Sequence, residues 1–295
     1  MSNATKLLAL AAAALGPVLV RAEPVVFTYT EAVYIDSKEG PLRSPEGVAC
    51  DDRGALVVAD TGNSRLVTYA VREDGVGAGT ELKVPQLVAP VRVQLDPQGG
   101  TVVLDRKGSR LLRFDAKGAY VGAVEPKGDL PGTFAPVAFK LDADRNVWAL
   151  DGAGRVVVLD PAGAVTRTLA LPKGVFTDLA VDAAGTVYAV DAGQAMVWSA
   201  AKGATAFTSL SKSLKDEMSF PAYLVVAKGK LLIVDQVGHG VVVLGTDGSF
   251  QGRQLSYGVS EGLLQYPGQL CLTEKGDVFV ADRNNNRVDR YTIAR

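Results

Sequence analysis

The sequence predicts an all-β protein, a six-bladed β-propeller with four-stranded blades. Three observations support this prediction. An apolar strand, a polar turn, a second apolar strand and an aspartate recur six times, the closing aspartates lie 40 to 47 residues apart, and the two ends of the chain complement each other. Four-stranded units of this length are typical of propeller blades rather than of β-sandwich halves.

Each repeat contains the same elements in the same order. Its first two strands, here a and b, are rich in Val and Leu with little alternation, as in strands buried on both faces. The a–b turns carry Asp with Gly or Asn, which is hairpin chemistry. A third strand, c, and a variable fourth segment, d, complete the unit. The closing aspartates are Asp60, Asp105, Asp151, Asp191, Asp235 and Asp282.

The ends of the chain predict how the ring closes. The sixth repeat stops after its third strand, at Arg295, and residues 25–35 form a strand-like segment that belongs to no repeat. We expect residues 25–35 to pair onto the sixth blade as its outer strand, because this pairing removes exposed sheet edges at the seam.

Residues 1–22 are predicted to be a signal peptide. Lys6 precedes a short apolar stretch that Pro17 interrupts, and the stretch ends at Ala22 in a small-x-small pattern. A buried helix of the domain is the alternative. Cleavage would leave a single domain, residues 23–295, in the periplasm or outside the cell. The apolar stretch is too short to span a bilayer, so we expect no membrane span after cleavage.

Composition excludes several functional classes. The formal net charge is -1, so no basic excess is available to neutralise nucleic-acid phosphates. One His and two Cys exclude a His-cluster metal site or a dense disulfide framework. We expect a monomer without a cofactor.

The cysteines lie in strand a of blades one and six, which the ring makes neighbours. Stacked sheets are about 10 Å apart, farther than a disulfide reaches. Buried free thiols at Cys50 and Cys271 are therefore expected, with a bridge as the alternative.

Recurring charged residues are predicted to be structural. Each closing aspartate is expected to cap its b–c turn, and arginines four or five residues later are expected to form ion pairs. These arginines are Arg65, Arg110, Arg155 and Arg287. Asp142, Asp144 and Asn146 begin like a calcium loop, but position 12 is Ala153, so a hairpin turn is predicted.

Two segments, beginning at Leu42 (LRSPEGVACDDRGALVVADTGNSRLVTY) and Leu264 (LQYPGQLCLTEKGDVFVADRNNNRVDRY), resemble NHL repeats. The resemblance implies a six-bladed propeller that binds partners through one face. The family contains many binding modules and a few enzymes, so it implies no single activity. Related lactonases hold calcium in the channel, but here Arg92 shares the ring of Glu46, Asp178 and Gln269 and would repel a cation.

We therefore predict an exported, non-catalytic propeller that binds a protein or glycan. A metal-dependent enzyme of lactonase or lyase type using the channel is the alternative. The d–a and b–c loops are expected to form the binding face, with polar side chains suited to such contacts. The candidate binding residues are Asn63, Arg92, Arg106, Lys107, Asp178, Tyr223, Gln236, His239, Gln269, Arg283, Asn284 and Asn285.

Residues 209–218 differ from the surrounding repeats. Leu210, Leu214 and Met218 recur every four residues, which predicts a short helix at the rim of this face. Trp148 and Trp198 lie in predicted strands and are expected to pack between blades.

Overall fold

A computed structural model describes residues 25–38 and 40–293 as six antiparallel sheets arranged in a propeller ring. The predicted six-bladed architecture is confirmed. The predicted signal peptide, residues 1–22, lies outside the described residues. In the described part of the chain, no helix has the length and apolar character needed to cross a membrane.

The strands are numbered in chain order, and strand a of each blade lies innermost. Blade one contains β2 (Gly47–Cys50), β3 (Ala55–Asp60), β4 (Arg65–Arg72), β5 (Gly75–Val76) and β6 (Thr80–Leu82). Blade two contains β7 (Pro90–Leu95), β8 (Thr101–Asp105), β9 (Arg110–Phe114) and β10 (Tyr120–Ala123). Blade three contains β11 (Pro136–Leu141), β12 (Val147–Asp151), β13 (Arg155–Leu159) and β14 (Val165–Ala170).

Blade four contains β15 (Phe176–Val181), β16 (Val187–Asp191), β17 (Met196–Ala200) and β18 (Thr208–Ser209). Blade five contains β19 (Pro221–Ala227), β20 (Lys230–Asp235), β21 (Gly240–Gly245) and β22 (Phe250–Gln254). Blade six contains β23 (Pro267–Leu272), β24 (Asp277–Asp282), β25 (Arg287–Ile293) and β1 (Phe27–Val33). Single 3₁₀ turns at Thr61–Asn63 and Arg283–Asn285 follow strand b of blades one and six.

The N-terminal strand closes the ring, as predicted. β1 pairs antiparallel with β25, from Phe27 opposite Ile293 to Val33 opposite Val288. Blade six therefore consists of three strands from the end of the chain and one from its beginning.

The hydrophobic core lies between adjacent blades. Val, Leu and Ile side chains of the b and c strands form apolar clusters that each join two neighbouring sheets. Trp148 and Trp198 both contribute to the cluster between blades three and four, which confirms their predicted position.

The closing aspartates are buried and pin the loops of one face. Asp60 accepts the backbone N–H of Arg43 at 2.7 Å, and Asp282 accepts that of Gln265 at 2.7 Å, so each fixes the loop that enters its own blade. The other closing aspartates bind the corresponding loops in the same way. The predicted capping of the b–c turn is confirmed in blades two to five, where the aspartate also accepts a backbone N–H of that turn. In blades one and six, Asp60 and Asp282 instead accept the side-chain amides of Asn63 and Asn285.

Three of the four predicted arginine pairs form. Arg65, Arg155 and Arg287 bind their closing aspartates at 2.6, 2.8 and 3.0 Å. Arg110 instead donates to the backbone carbonyl of Gln86, so the prediction is wrong there. In blade five, Arg253 of the outer strand forms the ion pair with the closing aspartate, at 2.8 Å from Asp235.

The helix predicted at residues 209–218 does not form. Leu214 and Met218 are buried against blades four and five, so the apolar residues spaced four apart correctly indicated a buried face. The backbone N–H groups of Leu210 and Ser211 both donate to the carbonyl of Val197, which ties the segment to β17 in a non-helical conformation. A single turn, with the N–H of Met218 donating to Leu214, is all that remains of a helix.

Cys50 and Cys271 form a disulfide, contrary to the expectation of free thiols. Their Cα atoms are 5.8 Å apart, although sheets that stack in parallel layers are about 10 Å apart. Blades fan outward from an axis, so their innermost strands approach much more closely. The N–H of Gln269 in β23 donates to the carbonyl of Glu46, just before β2, at 2.9 Å. The bridge therefore reinforces the seam between blades one and six.

Candidate functional site

The d–a and b–c loops lie at the same end of the ring, here called the upper face. A pocket of about 570 Å³ opens on this face above blades two to four. Its walls come from the loops that the closing aspartates pin, so the pocket is part of the rigid frame.

The pocket has exposed apolar walls. The exposed fractions of Val137, Val175 and Phe220 are 47%, 59% and 38%. The backbones of Val175 and Phe220 are fixed, because the N–H of Val175 donates to Asp191 and that of Phe220 donates to Asp235. Fixed loops that turn apolar side chains toward solvent form a preorganised contact surface.

The edge of the pocket nearest blade one is charged. Glu46 accepts two hydrogen bonds from the guanidinium of Arg106, at 2.9 and 3.1 Å, and Arg283 lies 3.7 Å away. Arg92 also lines the pocket. Two guanidinium groups beside one carboxylate leave this edge with an excess of positive charge.

Below the pocket, a buried ion pair crosses between neighbouring blades. Nζ of Lys140 lies 3.2 Å from the carboxylate of Asp178 and 3.4 Å from the ring centroid of Tyr223. Asp178 also accepts the backbone N–H of Leu224 at 2.8 Å.

A second set of contacts spans the central channel. Gln269 of blade six exchanges hydrogen bonds of 3.1 and 2.7 Å with the backbone of Val93 in blade two. Gln269 and Gln94 each donate to the hydroxyl of Tyr223 in blade five, both at 3.3 Å. Arg92 donates to the carbonyl of Ala222, also in blade five. Side chains therefore cross the channel at this level and connect three blades.

This network corrects the predicted position of three candidate residues. Asp178, Tyr223 and Gln269 were expected at an open mouth, but all three are buried. Their side chains are occupied by the channel contacts, so they are not available to a partner at the surface. The position of a residue in the repeat predicted that it faces the central channel. It did not predict that the channel is narrow enough for side chains to cross it and fill it.

The other candidates divide between the pocket and the frame. Arg92, Arg106, Gln236 and Arg283 line the pocket. Lys107 is exposed, and its backbone N–H donates to Asp105. The amide groups of Asn63 and Asn285 donate to the closing aspartates Asp60 and Asp282 and to neighbouring carbonyls, and Asn284 binds through its backbone N–H.

His239 lies within an aromatic patch on the upper face of blades five and six. Its ring is 4.8 Å from those of Tyr257 and Tyr266, and its Nδ1 accepts the backbone N–H of Tyr266 at 3.0 Å. Both tyrosines are exposed, as is Val237 beside them. The two tyrosines, Val237 and the apolar pocket walls were not among the predicted binding residues, because apolar and aromatic loop residues do not stand out in the sequence from those of the core.

The channel does not fit the metal centre of the alternative enzyme function. Glu46 is bound to Arg106, Asp178 to Lys140, and Gln269 to the backbone of Val93. Among residues 25–38 and 40–293, no group of three or more His, Cys, Asp or Glu side chains has the arrangement to hold a metal ion.

Comparison with known families identifies two matching segments. The NHL repeat family matches residues 42–69 and 264–291, which are the repeats of blades one and six. A comparison with curated protein sequences found no match.

Solved structures with the same fold differ widely in activity. A catalytically inactive virginiamycin B lyase from Staphylococcus aureus with quinupristin has a TM-score of 0.66 at 13% identity, covering 90% of this chain and 99% of its own. A gluconolactonase from Xanthomonas campestris has a TM-score of 0.65 at 16% identity, covering 92% and 95%. A nidogen/laminin complex has a TM-score of 0.56 at 15% identity, covering 78% and 97%. These similarities establish the fold, which enzymes and a binding protein share.

Proposed function

We propose that this six-bladed β-propeller, whose blades one and six match the NHL repeat family, is an exported, non-catalytic module that binds an apolar segment of a partner protein in its upper pocket. The observation that carries this proposal is the group of exposed apolar side chains, Val137, Val175 and Phe220, around one pocket of about 570 Å³. An apolar concavity with a few convergent polar groups is typical of a binding site.

The chemistry of the walls favours a peptide over a glycan. Valine, proline and leucine side chains offer no hydrogen-bonding partners to sugar hydroxyls, and burying unpaired hydroxyls is costly. Aliphatic side chains of a peptide lose no hydrogen bonds in the same pocket. The exposed tyrosines beside His239 extend this surface with residues that often dominate protein interfaces.

The charged edge adds a preference for acidity. Arg106 and Arg283 lie beside the carboxylate of Glu46, and Arg92 lines the same pocket. A partner segment with an acidic residue next to its apolar residues would match this arrangement.

The disulfide supports the proposed location. Cysteine pairs such as Cys50–Cys271 persist in oxidising compartments and are rare in the cytosol. An exported protein is also what the predicted signal peptide at residues 1–22 implies.

A peptide library displayed on phage tests this proposal directly. The library is panned on the parent protein and on Val175→Asp, which places a charge in the apolar wall. The matched control is Val26→Asp, the same change at a half-exposed valine outside the pocket. We expect apolar peptides with an acidic residue to be enriched by the parent and the control, and at least tenfold less by Val175→Asp.

Two results would contradict the proposal. Equal enrichment by all three proteins would show that the pocket binds no peptide. Saturable binding on a glycan array that Val175→Asp abolishes would assign the pocket to sugars instead. Melting curves check that the exposed substitutions leave the fold intact, as is usual at the surface.

A further inference from the structure

A second cleft, of about 250 Å³, lies at the opposite end of the ring between blades two and three. This lower face is formed by the a–b and c–d turns. Arg113, from β9, and Arg145, from the a–b turn of blade three, both line the cleft. Two guanidinium groups in one cleft repel each other unless anions separate them.

A second arginine of the same chain, in blade six, shows how carboxylates can neutralise a guanidinium group at this position. Arg113 and Arg290 each lie eight residues after the closing aspartate of their blade. Arg290 donates to Asp277 at 2.8 Å and to Glu31 at 2.6 Å, so two carboxylates neutralise it. Glu31 lies directly opposite Arg290 in the sheet, next to a β-bulge.

Blade two keeps the arginine and lacks both carboxylates. Gly122 lies opposite Arg113, next to the same kind of bulge, in the place of Glu31. Gly100 stands five residues before its closing aspartate, as Asp277 does in blade six. A Cβ atom built on Gly122 meets nothing within 4 Å, so the space that a carboxylate side chain would fill is open.

The other acids of the cleft are already engaged. Asp96 accepts a hydrogen bond of 2.9 Å from Nε of Arg145, and Asp115 accepts the backbone N–H groups of its own turn. Within residues 25–38 and 40–293, Arg113 forms no ion pair. Burial and the charge of Arg145 lower the pKa of Arg113, and the nearby carboxylate of Asp96 opposes this effect without overcoming it.

We propose that Arg113 and Arg145 form a binding site for a small oxyanion, a carboxylate or phosphate group, which takes the place of the two missing carboxylates. A guanidinium group presents parallel donors that match either oxyanion in a bidentate geometry. The site lies on the lower face, so it is separate from the pocket proposed to bind a partner.

Nuclear magnetic resonance of the arginine Nε–Hε groups tests the site. Inorganic phosphate and acetate are titrated separately into the full chain at constant ionic strength, with chloride as the balancing ion. The Arg113 signal is identified by its loss in Arg113→Gln. We expect a saturable shift of this signal with one or both oxyanions, and at least tenfold weaker binding in Arg145→Gln. The control is Lys117→Gln, which removes one positive charge from the nearby turn and should leave the shift unchanged.

The two probes distinguish the possible ligands. A shift with phosphate alone assigns the site to phosphoryl groups, and a shift with acetate alone assigns it to carboxylates. Shifts no larger than those produced by chloride, or shifts that Lys117→Gln reduces as much as Arg145→Gln does, would overturn the proposal. Arg113→Lys gives a further check, with binding followed at the Nε–Hε signal of Arg145 because this variant has no Arg113 signal. The variant keeps the positive charge and loses the planar guanidinium group, so unchanged affinity would refute bidentate recognition.

Discussion

Removing one partner of the buried pair Lys140–Asp178 is expected to destabilise the ring severely. The exposed fractions of these two side chains are 7% and 0%, and their charged atoms lie 3.2 Å apart. Asp178→Asn would leave the ammonium group of Lys140 buried without a counterion, and Lys140→Met would do the same to Asp178.

The expected loss is large because water cannot replace the missing partner. Removing one member of a buried pair typically costs about 3–5 kcal/mol. In a domain of this size, each kcal/mol lowers Tm by roughly 2 °C. Each single variant should therefore melt roughly 6–10 °C below the parent.

A double-mutant cycle measures the coupling. The parent, both single variants and the double variant are unfolded in urea, and the four free energies of unfolding are compared. We expect the double variant to lose much less stability than the sum of the single losses, because no unpaired charge remains. Arg53→Met breaks the exposed Arg53–Asp51 pair and serves as the control, with an expected change below about 1 kcal/mol.

Additive losses would refute this reasoning. If the two single losses sum to the double loss within about 0.5 kcal/mol, the groups do not interact energetically.

Three further predictions concern the seam. Replacing Cys50 and Cys271 by Ala should lower stability by up to about 5 kcal/mol, since the bridge spans 221 residues, and a reductant should destabilise only the parent. Deleting residues 25–36 exposes the edge of β25, so a truncated protein that melts like the parent would contradict closure by β1. Burial raises the pKa of Asp289 to about 8. The folded state therefore keeps a proton that the unfolded state releases above about pH 4. Stability should fall from pH 4 to pH 8, and Asp289→Asn should flatten this decline.

The sequence predicted the architecture because each blade repeats one pattern of apolar strands and turns. It also predicted the closing strand, since an unpaired segment and an incomplete repeat match each other. It failed where three-dimensional proximity decides the outcome. The close approach of Cys50 to Cys271, and the burial of Tyr223 by Gln94 and Gln269, depend on how tightly the inner strands converge.

Comparison of equivalent positions in the six blades separates residues that serve the fold from residues that differ in one blade and indicate a binding site. The closing aspartates recur in all six blades and bind backbone amides, so their recurrence reflects the fold. A glycine at the bulge is not by itself informative, because Gly252 of blade five has the same open surroundings and lies opposite the apolar Val243. Blade two differs because Arg113 lies opposite its glycine. In blade two the open space lies beside an arginine that forms no ion pair with the described residues, and this combination distinguishes a candidate anion site from a structural irregularity.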